Sequence, residues 1–284
     1  MTDILVTADW LLSNRENVRI FDASNHLPTA NRRPNEEFES AHIPGAGRFD
    51  IDRIADLDSP LPHTVPSPEV FEGHMQALGL NSDDHVVLYD DSDVKSAARA
   101  WWMLRLFGHE RVSILNGGLA AWKQAGGALE SGGAVIRQAG TFTSRPAIGV
   151  GVVTMGQLRG GMADGTAGQI LDARAAARFA GEAPEPRQGL RAGHIPGSYN
   201  LPFSALFDED GQYRNAAVIR DLFDKAGIDI GAPVTTTCGS GVTACALAVG
   251  LALTGNDRTI VYDGSWTEWG ASDAPIETGS AREQ

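Results

Sequence analysis

The sequence predicts an α/β fold built twice, each half a parallel sheet flanked by helices on both faces. Short apolar runs alternate with helical patterns, the arrangement that joins parallel strands through crossover helices. The second half also repeats the first. Ile20-Phe21-Asp22-Ala23 returns as Ile170-Leu171-Asp172-Ala173, and Ala41-His42-Ile43-Pro44-Gly45 as Gly193-His194-Ile195-Pro196-Gly197. The run His85 to Tyr89 aligns with Pro233 to Thr237. Leu115-Asn116-Gly117-Gly118, ending at Trp122, aligns with Tyr262-Asp263-Gly264-Ser265, ending at Trp269.

In the first half, Ile20 to Ala23, Val86 to Tyr89 and Val112 to Leu115 read as strands. Amphipathic helices are expected over about 97–107 and 118–125. Residues 1–137 form the first domain. The stretch 138–151, with its Gly, Thr and Pro, reads as a linker, and 152–284 form the second domain. The tail after Ala271 is expected to be weakly ordered.

Composition narrows the function. The net charge of −13 argues against nucleic acid or an anionic membrane as the main partner. The start, MTDILVTADWLLSN, lacks the cationic and apolar regions of a signal peptide. The longest apolar run, Ala244 to Leu253, is far too short for a membrane span. Two cysteines, Cys238 and Cys245, in a chain of 284 residues imply free thiols and a cytoplasmic location. Neither their spacing nor the neighbouring histidines suggests a zinc site.

Cys238 opens the segment Cys-Gly-Ser-Gly-Val-Thr-Ala-Cys directly after a β-prone run. Glycines at 239 and 241 allow the backbone to curl so that N–H groups converge on one sulfur. The stretch Val242 to Leu253 reads as an apolar helix whose positive end faces the same point. Such surroundings favour thiolate, the nucleophilic form.

The repeat acts as an internal control. Residues shared by both halves are explained by the shared fold, so His42, His194, Trp122 and Trp269 are read as structural. Cys238 has Asp90 as its counterpart, and Gly239-Ser240-Gly241 is replaced by Asp91-Ser92-Asp93. Three acids there would repel a thiolate or an anionic substrate. The first half is therefore expected to be an inactive copy, with one active site in the second half.

Three cysteine chemistries suit such a loop. A phosphatase would need an arginine near the loop's end, and none is present. A redox enzyme would need a resolving thiol, whereas Cys245, about two helical turns on, reads as a buried structural cysteine. Sulfur transfer needs no second thiol, since converging N–H groups can stabilise a persulfide anion.

Two tandem repeats carrying His-Ile-Pro-Gly, with one Cys-Gly-Ser-Gly-Val-Thr loop in the second, resemble the rhodanese superfamily over about Trp10 to Trp269. Within it they resemble the sulfurtransferases that use 3-mercaptopyruvate. Thiosulfate-using members typically carry Arg-Lys after the cysteine. Gly239-Ser240 in that place implies a donor with one carboxylate. The resemblance implies a Cys238 persulfide with no metal or other cofactor. It implies Arg187 and Arg178 as ligands of the donor's carboxylate and keto oxygen, together with the loop residues Gly239, Gly241, Val242 and Thr243. It further implies a proton relay of Ser240, His63 and Asp52, drawn from both domains and set in the cleft between them. The acceptor would be cyanide or a thiol such as thioredoxin, and the chain would act as a monomer. Thiosulfate as donor, or a persulfide carrier without turnover, are the alternatives. One departure is Lys95, near a position where the family often has a bulky aromatic.

Overall fold

The computed structural model describes residues 3–280, which fall into two compact units. The first comprises the chain up to Asp58, Val65–Ala147 and Glu209–Tyr213. The second comprises Ser59–Thr64, Ile148–Asp208 and the chain from Arg214 onward.

The first unit runs β1 (Leu5–Val6), α1 (Ala8–Asn14), β2 (Arg19–Asp22), α2 (Pro34–Ser40), β3 (Gly47–Arg48), α3 (Pro68–Ala77), β4 (Val86–Tyr89), α4 (Ala97–Leu106), β5 (Val112–Leu115) and α5 (Gly118–Gln124). Its five strands lie in the order β1-β5-β4-β2-β3, all parallel. The second unit runs β6 (Val150–Val153), α6 (Met155–Asp164), β7 (Gln169–Asp172), α7 (Ala176–Phe179), β8 (Tyr199–Asn200), α8 (Ala216–Lys225), β9 (Val234–Thr237), α9 (Ala244–Leu253), β10 (Thr259–Tyr262) and α10 (Ser265–Trp269). Its order, β6-β10-β9-β7-β8, is the same order again, and it is also parallel throughout.

Local chemistry sets the helix starts. Thr7, Ser67, Thr154 and Asn215 each accept a hydrogen bond from the backbone three residues on, and Thr154 with Gln157 forms a complete capping box. All four residues of β4 and of β9 are buried, so both faces of each sheet are covered. Val87 and Tyr89 pack with Leu11 of α1 and Trp122 of α5 on one face, while α4 covers β4 and β5. α4 departs from the amphipathic expectation, because every residue from Ala97 to Leu104 is buried. Even Arg99 is enclosed, its guanidinium 4.8 Å from the Trp102 ring. α9 is likewise buried from Ala244 to Leu251 and is apolar on every side.

The shared motifs serve the fold. His42 Nδ1 lies 2.7 Å from the Phe38 carbonyl, and His194 Nδ1 lies 2.8 Å from that of Phe179. Each ring stacks on the same phenylalanine, at 4.0 and 3.7 Å between centroids. Glu130 and Glu277 accept the backbone N–H of Gly45 and Gly197, each at 2.9 Å. Trp122 and Trp269 are buried and donate to the carbonyls of Ala128 and Pro275.

Two boundaries differ from the sequence reading. Part of the stretch read as the linker packs on the first unit. Gly140 and Phe142 donate to the carbonyls of Gln76 and Leu80, and Phe142 is buried. β6 begins at Val150, so the connection is short. The tail after Ala271 is held as far as Gly279: His194 and Glu277 exchange backbone hydrogen bonds at 2.8 and 3.0 Å, and Gly279 donates to Ala180. Its composition looked loose because the partners that hold it lie far away in the chain. Residues 281–284 lie outside the described residues.

In each sheet the chain leaves two neighbouring strands in opposite directions. From β7 it passes outward to β8, whereas from β9 it returns to β10. The crevice at the carboxyl ends of β7 and β9 is thus a topological switch point, where open α/β sheets bind ligands.

Candidate active site

The loops that follow β7 and β9 bring most of the expected residues to that crevice. Cys238 begins the loop after β9 and is 2% exposed. Its N–H donates to Ser265 Oγ at 3.2 Å, and its carbonyl accepts from Trp266 N at 2.9 Å. The Gly239 carbonyl accepts from both the N–H and the hydroxyl of Thr267. In a trans peptide the N–H points opposite to the carbonyl. The N–H groups of Gly239 and Ser240 therefore point away from α10.

Gly241 has φ +79° and makes the turn that leads into α9. Ser240 and Val242 are buried and Thr243 is half-buried. Cys245 is fully buried and its thiol donates to the Gly241 carbonyl at 3.3 Å, so it braces the loop's turn. Ser265 holds the unfavourable left-handed conformation at φ +50° where the first unit has Gly118 at φ +58°. Its hydroxyl, which receives the Cys238 N–H and donates to the Tyr262 carbonyl, requires a side chain there.

The loop after β7 supplies the cations. A Cβ placed on Gly239 would lie 3.3 Å from Arg178 Nη2, so this guanidinium stands directly beside the cysteine loop. Arg178 donates through Nε and Nη2 to Glu185. Glu185, with a side chain only 3% exposed, also receives Arg174 Nη1 at 2.8 Å. Arg174 is itself fully buried, forked onto Asp172 at 2.7 Å and stacked 4.3 Å from the centre of Trp266. Burial opposes its charge, but Asp172 and Glu185 outweigh that and hold its proton more tightly than in an ordinary arginine. A chain of charge thus runs from the end of β7 to the cysteine loop.

Arg187 Nη2 lies 3.4 Å from His63 Nε2, within the second unit. A guanidinium can only donate, so in this contact Nε2 is the accepting nitrogen. Asp52 is exposed in the turn after β3 and belongs to the first unit, its N–H donating to Asp50 Oδ1. The structure therefore places Arg187 beside His63 and Arg178 beside Gly239, while Asp52 stands in a different unit from Ser240. Lys95 is half-buried in the first unit at φ +51°.

Arg174 and Glu185 were missed in the sequence. The repeat holds the signal for both, since Arg174 aligns with Ser24 and the Pro184-Glu185-Pro186-Arg187 insert has no counterpart.

At the equivalent crevice of the first unit the two loops are hydrogen-bonded directly to each other. Asp91 N donates to Ser24 Oγ at 2.8 Å, Asn25 N to Ser96 Oγ at 2.9 Å, and Ser92 Oγ to the Asn25 carbonyl. Asp90 turns inward and accepts Ala97 N at 2.7 Å. Burial pushes its carboxyl up to about 6.

Comparison with known proteins gives the same assignment at each level. The family described as Rhodanese-like domain matches residues 7–125 and again residues 154–272. The chain is 43% identical to the 3-mercaptopyruvate sulfurtransferase of Escherichia coli K12, over 97% of this chain and 98% of that one. It is 42% identical to thiosulfate/3-mercaptopyruvate sulfurtransferase 1, mitochondrial, of Arabidopsis thaliana, over 96% of this chain and 78% of that one. The crystal structure of SseA from Escherichia coli, described as a 3-mercaptopyruvate sulfotransferase, superposes with a TM-score of 0.83 at 40% identity. It covers 93% of this chain and 99% of that chain. The chain belongs to the rhodanese family and carries its domain twice.

Proposed function

We propose that this chain is a sulfurtransferase that takes sulfur from 3-mercaptopyruvate through Cys238 and passes it to a thiol or to cyanide. The observation that carries the reading is the Cys238 thiol at the switch point of the second sheet, in a neutral glycine loop flanked by Arg178. The relatives named above as 3-mercaptopyruvate sulfurtransferases support it.

The Cys238 thiolate attacks the donor's sulfur, and an S–S bond forms as the donor's C–S bond breaks. The bonding pair leaves on carbon as the enolate of pyruvate, which takes a proton and departs. The outer sulfur of the Cys238 persulfide then goes to a thiolate, making a new persulfide, or to cyanide, making thiocyanate. Either step restores the Cys238 thiolate. The N–H groups of Gly239 and Ser240, with those of Gly241, Val242 and Thr243, would stabilise the sulfur anion. Arg178 and Arg187 would hold the donor's carboxylate and keto oxygen. His63, with Nε2 as the accepting nitrogen, would shuttle the proton together with Ser240 and Asp52.

The first half serves as an inactive copy in this reading, since Asp90 replaces the nucleophile and its crevice is closed by direct hydrogen bonds. Two free thiols suit a reducing compartment such as the cytoplasm, with thioredoxin as one suitable acceptor and the monomer as the working form. No metal or organic cofactor enters the scheme. Among the described residues no helix is long and apolar enough to cross a membrane.

Mass spectrometry after addition of 3-mercaptopyruvate should find one extra sulfur on Cys238. Cys238→Ser should abolish both adduct and turnover, whereas Cys245→Ser, which keeps a donor for the Gly241 carbonyl, should spare most activity. The reverse pattern would assign the chemistry to the other thiol. Thiosulfate is the second reading, because one relative's name joins both donors. A higher kcat/KM for thiosulfate than for 3-mercaptopyruvate would establish it.

A further inference from the structure

The arginine cluster contains a carboxylate, Glu185, that has no role in the scheme above and reaches the guanidinium beside the cysteine loop. Glu185 receives both Arg174 and Arg178, and its side chain is 3% exposed. Asp172 already satisfies most of the Arg174 fork, and the Gly193 carbonyl takes a further N–H. Glu185 is therefore not needed to neutralise Arg174. Its second oxygen faces Arg178, the guanidinium beside the cysteine loop. The guanidinium that stands beside the cysteine loop is thus offset by a buried carboxylate.

We infer that Glu185 is a donor-specificity determinant, a buried carboxylate that sets the charge of the donor site to match a monoanion and to reject a dianion. The inference rests on the sulfurtransferase reading and deepens it. In a site of low dielectric, one extra formal charge changes the binding of a neighbouring anion strongly, and a dianion feels twice the change that a monoanion feels. Mercaptopyruvate carries one carboxylate, whereas thiosulfate carries two negative charges. The absence of cations in the Gly239-Ser240-Gly241 loop accounts for part of that selectivity. Glu185 adds to it by offsetting the charge that Arg178 presents beside the loop. It also fixes Arg178 through Nε and Nη2, so the guanidinium meets the donor by its remaining edge.

Glu185→Gln tests this, because the amide keeps the shape and removes the charge. Thermal melting first verifies the fold, and Glu185→Ser removes the same charge if the amide is not tolerated. In the neutral variant, kcat/KM for thiosulfate relative to 3-mercaptopyruvate should rise about threefold. Competitive inhibition by sulfate, a dianion that cannot react, should tighten by about tenfold while inhibition by pyruvate tightens by about threefold. Glu185→Asp keeps the charge and should leave both ratios near wild type even if it slows turnover. Unchanged ratios in the neutral variant, or equal shifts in the aspartate variant, would overturn the inference. A wild-type enzyme that ignores 3-mercaptopyruvate would overturn the underlying reading instead. In that case the sulfate and pyruvate measurements still decide what Glu185 does.

Discussion

At the scale of residues, the site depends on which groups can form directional bonds to an anion and which merely carry charge. Arg187 approaches His63 through Nη2 and has the fork geometry that suits a carboxylate beside a keto oxygen. A hydrogen bond to a charged group is worth about 1.5–3 kcal/mol. Arg187→Gln should therefore lower kcat/KM for 3-mercaptopyruvate by about ten- to a hundredfold. Arg187→Lys should recover only part of the loss, since a point charge cannot make two parallel bonds. Steady-state kinetics with both variants measures this, and full recovery by lysine would show that charge alone is used. Cys238 stands out in the sequence because the duplicated half has Asp90 in its place, whereas the two arginines emerge from the family resemblance. Glu185 was not, because an ion pair that closes over seven to eleven residues leaves no periodic trace. Ser265 was hidden for a different reason: its strain shows only in its φ angle.

Among the elements, the central strands and the helices after them were legible because burial on both faces demands continuous apolar runs. β4 and β5 fall where the sequence places them, and α4 and α5 begin at the expected residues. The two-residue strands β1, β3 and β8 are too short for any periodicity and exist only through their neighbours. The β9–α9 loop shows how element geometry supports chemistry, and its two glycines have separable roles. Gly241 is required by its left-handed φ of +79°, where a side chain costs about 1–2 kcal/mol. Gly239 has no such constraint, but a methyl group there would press on Arg178 Nη2. Gly241→Ala should thus lower the melting temperature and the rate together. Gly239→Ala should leave melting nearly unchanged while raising the KM for the donor. Calorimetry beside steady-state kinetics separates the two, and a matching loss of stability in both variants would contradict the assignment.

On the scale of the whole molecule, one topology occurs twice with opposite electrostatics at the same crevice. The second unit places cations and a thiol there, and the first places Asp90, enclosed and accepting the first N–H of α4. Burial raises the Asp90 carboxyl from its ordinary value near 3.8 to about 6. The folded chain then holds this proton more tightly than the unfolded chain does. The stability it contributes is full below about pH 3.8 and is lost as pH rises through about 6. At neutral pH the first unit bears the cost of a buried carboxylate, on the order of 3 kcal/mol. Asp90→Asn keeps an acceptor for the Ala97 N–H and removes the charge. The variant should be more stable than wild type at pH 7.5, by about 1–3 kcal/mol in the transition of the first unit. The gap should close by about pH 4, with sulfur transfer unchanged. Melting curves of both proteins across that range provide the measurement. A gap independent of pH would mean that Asp90 acts through shape, and a destabilised variant at neutral pH would mean that its ionised form supports the fold.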